Sequence, residues 1–244
     1  MTPTYYRTGV LIAALFALMA GGTAMAQALT VLPVTVEMTP GQLAVSMTVI
    51  NQGTRETSVQ IRAYAWSQSG ADGEEQLTAS DAVLASPPLA TIAPATAQVV
   101  RLVLRREPKG KEASYRILLD QIPAPAQPGV VQIALRMSIP IFAQPTGVAV
   151  ASVKYRVERD AGKVYLVAVN GGARHETLRD IVLKTAAGKV VKTEANSSPY
   201  VLAGATRRWR IVDQAGLPAP GGTLNLTAHA DTGAIDQSVP VSGS

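Results

Sequence analysis

The sequence predicts an all-β protein built from two immunoglobulin-like β-sandwich domains in tandem. Three observations carry this expectation. From Leu29 onward, short stretches of alternating apolar and polar residues recur between Gly, Pro and Asn turn signals, at the roughly 8–12-residue spacing of sandwich strands. Beyond the N-terminal segment no run of ten residues holds the 3.6-residue period of an amphipathic helix. The strand pattern also restarts after Pro145-Thr146-Gly147, which divides the chain into residues 27–147 and 148–244, each of a size that suits one sandwich.

The strands follow in order. Leu29 to Met38 alternates and stops at Thr39-Pro40-Gly41. Leu43 to Ile50 sets Leu43, Val45, Met47 and Val49 on one face and ends at Asn51-Gln52-Gly53. Val59 to Trp66 alternates again, and the polar stretch Ser67 to Glu75 reads as a loop. Ser86-Pro87-Pro88 and Ala93-Pro94 leave room only for short edge strands, because proline cannot donate to a ladder. Ala97 to Arg105 and Tyr115 to Ile122 are strands, separated by the charged loop Glu107 to Glu112. Pro123 to Gly129, with three prolines and a glycine, is an extended connection. In the second half Val153 to Glu158, Lys163 to Asn170, Asp180 to Lys184, Tyr200 to Leu202, Arg207 to Val212 and Leu224 to Ala230 are strand-like.

The longest alternating stretch is Val130 to Pro145. Val131, Ile133, Leu135, Met137, Ile139 and Ile141 fall on one face at period two, and Gln132, Ala134, Arg136 and Ser138 on the other. An apolar row of this length exceeds the usual strand of about five or six residues. It fits either a plain core strand or a strand whose surplus row serves a partner.

The first 26 residues read as a secretory signal peptide. Arg7 supplies a positive start, Val10 to Ala20 an apolar core, and Ala24-Met25-Ala26 small residues at the cleavage positions, with cleavage expected after Ala26 or, second, after Ala28. The apolar run is shorter than the roughly 20 residues of a spanning helix, so no membrane insertion is expected once it is removed. Cysteine is absent, which excludes disulfides, thiolate metal sites and a cysteine nucleophile.

The net charge is +5, and its excess lies in the second half, where Arg207, Arg208 and Arg210 cluster on what reads as a solvated strand face. Scattered charge without interleaved aromatics does not point to nucleic acid. His175 and His229, the two histidines, lack companion ligands at metal spacing, and neither G-x-S-x-G nor H-E-x-x-H occurs. The expectation is a non-enzyme without metal or cofactor.

Three segments together resemble the periplasmic chaperones of pilus assembly, the PapD-like family. They are Ala85 to Leu102 (A-S-P-P-L-A-T-I-A-P-A-T-A-Q-V-V-R-L), Tyr115 to Pro123 (Y-R-I-L-L-D-Q-I-P), and the long stretch with its closing I-P-I-F-A-Q-P, which is similar to the family's strand G1. The second half fits more loosely, through Asn170-Gly171-Gly172, Tyr200-Val201-Leu202 and Ala230 to Ala234. The absence of cysteine and the Y-R-I run are similar to the archaic branch, which serves spore-coat-U-like or Csu-type pilins.

The resemblance implies a boomerang of two immunoglobulin-like domains, a periplasmic location, and pilin subunits and an outer-membrane usher as partners. It implies that strand G1, through Val131, Ile133, Leu135 and Met137, completes a pilin that lacks its last strand. The family's basic anchors for the subunit's terminal carboxylate, an Arg in the first strand and a Lys in G1, are matched here by Thr35 and Pro140. Arg116 and Arg136 are the nearest candidates to take over that role. The Arg that precedes the linker proline in the family is Gln144 here, while Asp231 supplies an acid at the other end of the usual interdomain bridge. The competing reading is an exported tandem immunoglobulin-like adhesion or scaffold protein.

Overall fold

Strand-forming residues and turn chemistry produce eighteen strands among the described residues in the computed structural model, which describes residues 29–70, 73–123, 125, 129, 132–194 and 198–243. The signal-peptide reading and both cleavage positions lie outside the described residues. Among the described residues no helix is long and apolar enough to cross a membrane.

The first domain holds β1 (Leu29–Leu32), β2 (Val36–Met38), β3 (Ala44–Asn51), β4 (Thr57–Ser69), β5 (Glu74–Ala79), β6 (Val83–Ser86), β7 (Leu89–Ile92), β8 (Ala97–Leu104), β9 (Ala113–Ile122) and β10 (Arg136–Ala143). One sheet runs β1-β3-β8-β6. The facing sheet runs β2-β10-β9-β4-β5, with β7 also on β4. Between them pack Met38, Met47, Val49, Ile61, Val100, Leu102, Ile117, Leu119 and Ile141, all essentially dry. Each such side chain is worth about 1.5–3 kcal/mol of burial.

Two expectations are corrected here. Leu29 to Met38 is not one strand. Pro33 has no N–H to offer, and the chain crosses there from β1, antiparallel to β3, to β2, parallel to β10 in the other sheet. The Ser67 to Glu75 stretch is not all loop, because β4 runs on to Ser69 and β5 returns from Glu74 with Gln68 opposite Glu75. This hairpin is polar on both faces, so period-two hydrophobicity has nothing to register.

The second domain holds β11 (Val153–Asp160), β12 (Lys163–Asn170), β13 (Glu176–Lys184), β14 (Val190–Val191), β15 (Tyr200–Val201), β16 (Thr206–Arg210), β17 (Thr223–Ala230) and β18 (Gly233–Gly243). The order is β14-β13-β17-β18-β11-β12-β16, with β15 on β13. β18 belongs to both layers. It pairs antiparallel with β17 as far as Pro240 and then parallel with β11 from Val241. This strand, A-I-D-Q-S-V-P-V-S, is missing from the sequence reading because only Val239 and Val241 of its residues are fully buried in the core, with Ile235 packed at its margin.

A third, smaller cluster joins the domains. Trp66 of β4 and Phe142 of β10 pack with Leu202 and Ala205 of the second domain, and Tyr200 covers them.

Candidate functional site

The alternation of β4, β9 and β10 puts Ile61, Ile117, Leu119, Ile139 and Ile141 into the core and so turns the intervening residues outward. In register, Pro140 faces Arg116, which faces Tyr64, and Arg136 faces Asp120. The outward face therefore begins at Trp66 and Phe142 in the interdomain cluster, passes Arg116 and Pro140, and ends at Arg62, Asp120 and Arg136.

At the outer end Asp120 sits between two guanidiniums, accepting from Arg62 at 2.5 Å and from Arg136. Partial burial pushes its carboxyl up, but the hydrogen bonds from Arg136 and Arg62 outweigh it and hold the group below the usual carboxylate range. At the inner end the Arg116 guanidinium lies over the Trp66 ring, 3.7 Å from its centroid, and 5.8 Å from that of Tyr200. Glu75 of β5 stands between Arg116 at 3.4 Å and Arg207 of β16 at 3.3 Å. Burial pushes both guanidiniums down and Glu75 opposes it; each remains a cation.

Arg116 and Arg136 are thus not brought together. Their ladder positions on β9 are four residues, or about 13 Å, apart along the strand. Of the two positions that the resemblance matches to the family's basic anchors, Pro140 is the cross-strand neighbour of Arg116, and Thr35 Oγ1 lies 3.3 Å from the hydroxyl of Tyr200. Arg207 and Arg208 do not form a solvated face. Arg207 is buried against Glu75, and Arg208 is covered by Tyr165 and paired with Glu158 and Asp160. Arg207 was missed because its partner, Glu75, comes from a hairpin read as loop.

The long strand is also shorter than its alternation suggests. β10 starts at Arg136, and pairing fades with the Leu135 carbonyl accepting the Gln121 N–H at 2.9 Å. Its neighbour runs out at this point, since β9 ends at Ile122 and Pro123 follows. The apolar row consequently splits. Ile139 and Ile141 are 4% and 0% exposed and belong to the core, and Met137 is half-buried beside them. Leu135 is 39% exposed and Ile133 87%. Val131 lies outside the described residues. Among the described residues the outer edge of β10 is paired only by β2, at Ile141 to Ala143, so the edge from Arg136 to Pro140 is open.

The domain junction carries polar pairs of its own. Glu37 takes Arg174 at 2.9 Å, and buried Glu112 takes the His175 Nδ1 at 2.8 Å. Gln144 reaches Glu37 at 3.4 Å, while Asp231 pairs with Arg179 inside the second domain. The interdomain contact is therefore made by Glu37 and Glu112 of the first domain with Arg174 and His175 of the second, not by Asp231.

The sequence model for pili and flagellar-assembly chaperones, PapD N-terminal domain, matches residues 28–149. The chain belongs to this family. Solved structures agree in fold. The chaperone–tip adhesion subunit complex of CsuC and CsuE, from archaic chaperone-usher Csu pili of Acinetobacter baumannii, matches at a TM-score of 0.65 and 21% identity, over 89% of this chain and 99% of that one. The YadV chaperone matches at 0.60 and 18%, over 87% and 98%. The SafB chaperone in complex with the SafA pilin of Salmonella enterica matches at 0.58 and 16%, over 88% and 95%. None of the curated proteins searched matches the sequence. The chaperone is all-β, with the two-domain fold of these relatives, and its family is not one of enzymes.

Proposed function

We propose that this chaperone works in the periplasm, capping spore-coat-U-like pilus subunits by donor-strand complementation and delivering them to an outer-membrane usher, with residues 27–147 and 148–244 as its two domains. The observation that carries the reading is the open edge of β10, continued by exposed Leu135 and Ile133. An unpaired edge beside an apolar row is an aggregation liability unless a partner covers it. A pilin lacking its last strand has the complementary fault, an apolar groove with unpaired backbone groups. Adding the segment from Val131 to Met137 satisfies both, with backbone pairing for affinity and alternate side chains for fit. Arg116, with Arg136 as second choice, holds the subunit's terminal carboxylate and so fixes the register, since a slip of one residue turns the row away from the groove.

Co-expression with such a pilin tests the reading. The expected result is a one-to-one complex recovered from the periplasm, with the pilin insoluble when expressed alone. A chaperone recovered alone beside an aggregated pilin would favour the adhesion or scaffold reading.

A further inference from the structure

Three side chains from three strands meet where the β4–β5 hairpin lies against the second domain. Glu75 directs Oε2 at Arg116 of the first domain and Oε1 at Arg207 of the second. The hairpin is held there at two points. The Gln68 amide donates to the Tyr200 carbonyl at 2.8 Å and accepts from the Leu202 N–H at 3.0 Å. Gly73, at φ +65°, passes so close to β16 that a Cβ would stand 2.0 Å from the Thr206 carbonyl oxygen. Gln68 and Glu75 are directly opposed in the ladder, so both side chains point at the second domain.

We propose that Arg116 and Arg207 form a two-domain cradle for a peptide's terminal carboxylate, and that Glu75 is its internal occupant, displaced when the pilin terminus arrives. This rests on the donor-strand reading above and adds to it a second binding residue and a competitor for the site. The cations are buried and the anion is more exposed. The Arg116 and Arg207 side chains are 10% and 11% accessible, whereas Glu75 is at 32%, on an edge strand whose residues are all exposed. Its contacts, 3.4 and 3.3 Å, exceed the roughly 2.7–2.9 Å of a good charge-assisted bond, and each uses a single oxygen. The Arg62–Asp120 pair on the same face closes to 2.5 Å. An anion between two buried guanidiniums offsets their desolvation. Glu75 supplies one in the free protein, loosely enough to yield to a carboxylate that brings a whole added strand with it.

The test compares pilin binding by wild type, Glu75→Gln, Arg207→Ala and the double variant, using a pilin made with a free C-terminal carboxylate and one with a C-terminal amide. Circular dichroism first establishes that each variant is folded. Glu75→Gln is expected to bind the acid form about tenfold more tightly, the equivalent of one charge-assisted contact no longer competed for, with no gain for the amide. Arg207→Ala should remove that gain. In the wild-type complex the Glu75 side-chain carboxyl resonance should move to that of a solvated carboxylate. Equal or weaker binding of both forms by Glu75→Gln, with an unmoved Glu75 resonance, would make the residue a permanent bridge and overturn the proposal, while wild-type binding that still depends on Ile133 would leave the donor-strand reading intact. A wild-type protein that takes up no pilin overturns both.

Discussion

Phe142 lies flat on the imidazole of His175, ring centroids 3.6 Å apart and planes 12° from parallel, and Glu112 holds that imidazole at its Nδ1 edge at 2.8 Å. The last residues of β10 are therefore packed into the second domain, and the open edge of the strand starts from a fixed base.

This contact predicts that Phe142 couples the domains. Phe142→Ala removes the largest fully buried side chain among the described residues and should cost about 3–5 kcal/mol. The expected signature in calorimetry is one transition splitting into two as the domains melt separately. An unchanged single transition would mean that Trp66, Leu202 and Tyr200 join the domains without it.

The split apolar row predicts opposite outcomes for two isoleucines on one face. Ile133→Asp places a charge where the free protein is open, so circular dichroism and melting temperature should stay near wild type while pilin capture is lost, because a buried carboxylate has no partner in an apolar groove. Ile139→Asp puts the same charge into the core and should unfold the first domain. If Ile133→Asp also unfolds the protein, that residue belongs to the core.

Most of this architecture is legible in the sequence, and the reason is the period. Strands with one buried face, such as β3, β8 and β9, announce themselves by alternation. The misses are of another kind. The β4–β5 hairpin and β18 bury little and are polar on exposed faces, so a hydrophobic pattern cannot find them. The candidate site was half visible. Arg116 and the row from Ile133 to Met137 are local features of two strands, but Glu75 and Arg207 become neighbours only when the domains dock, and nothing in their spacing encodes that. β10 is shorter than its alternation predicts because alternation records what a segment can do, while a ladder also needs a neighbour, and β9 stops at Ile122.

Gly73 predicts how tightly the hairpin is docked. Gly73→Ala meets a left-handed backbone and a carbonyl oxygen 2.0 Å from the new Cβ, so the hairpin must lift from β16. The expected cost is about 1–3 kcal/mol in denaturant unfolding, with faster amide exchange at Leu202, whose N–H is held by Gln68. Unchanged exchange at Leu202 would show that the hairpin does not depend on that approach.

Asp120 predicts an acid-side loss of stability. Its folded carboxyl titrates below the ordinary value of about 3.9. A depressed folded value stabilises the protein fully above the unfolded value, and the contribution fades as pH falls through the folded one. The stability difference between wild type and Asp120→Asn should therefore be constant from pH 7 to about 5 and shrink below about 4. Melting curves across that range check it, and a difference that grows on acidification contradicts the pairing with Arg62 and Arg136.

The two arginines proposed as carboxylate anchors predict unequal losses. Arg116 is buried at the domain junction beside Pro140 and close to Tyr200, which also meets Thr35. Arg136 is 64% accessible and committed to Asp120. A strand added along the open edge of β10 with its terminus at Arg116 would run past Met137, Leu135 and Ile133, the row that has to fill the groove. A terminus held at Arg136 would leave Met137 and the edge beside it uncovered. Arg116→Ala should therefore weaken pilin binding by about 2–5 kcal/mol, as expected for one partner of a desolvated pair. Arg136→Ala should cost no more than about 1 kcal/mol, the range of exposed pairs. A pilin with an amidated C-terminus should bind wild type less well and cost less in the Arg116→Ala background than in wild type, since both changes remove the Arg116 contact and only the Arg207 contact is left to lose. Fully additive losses at Arg116, with non-additive losses at Arg136, would move the anchor to the outer end of the face and the register of the added strand with it.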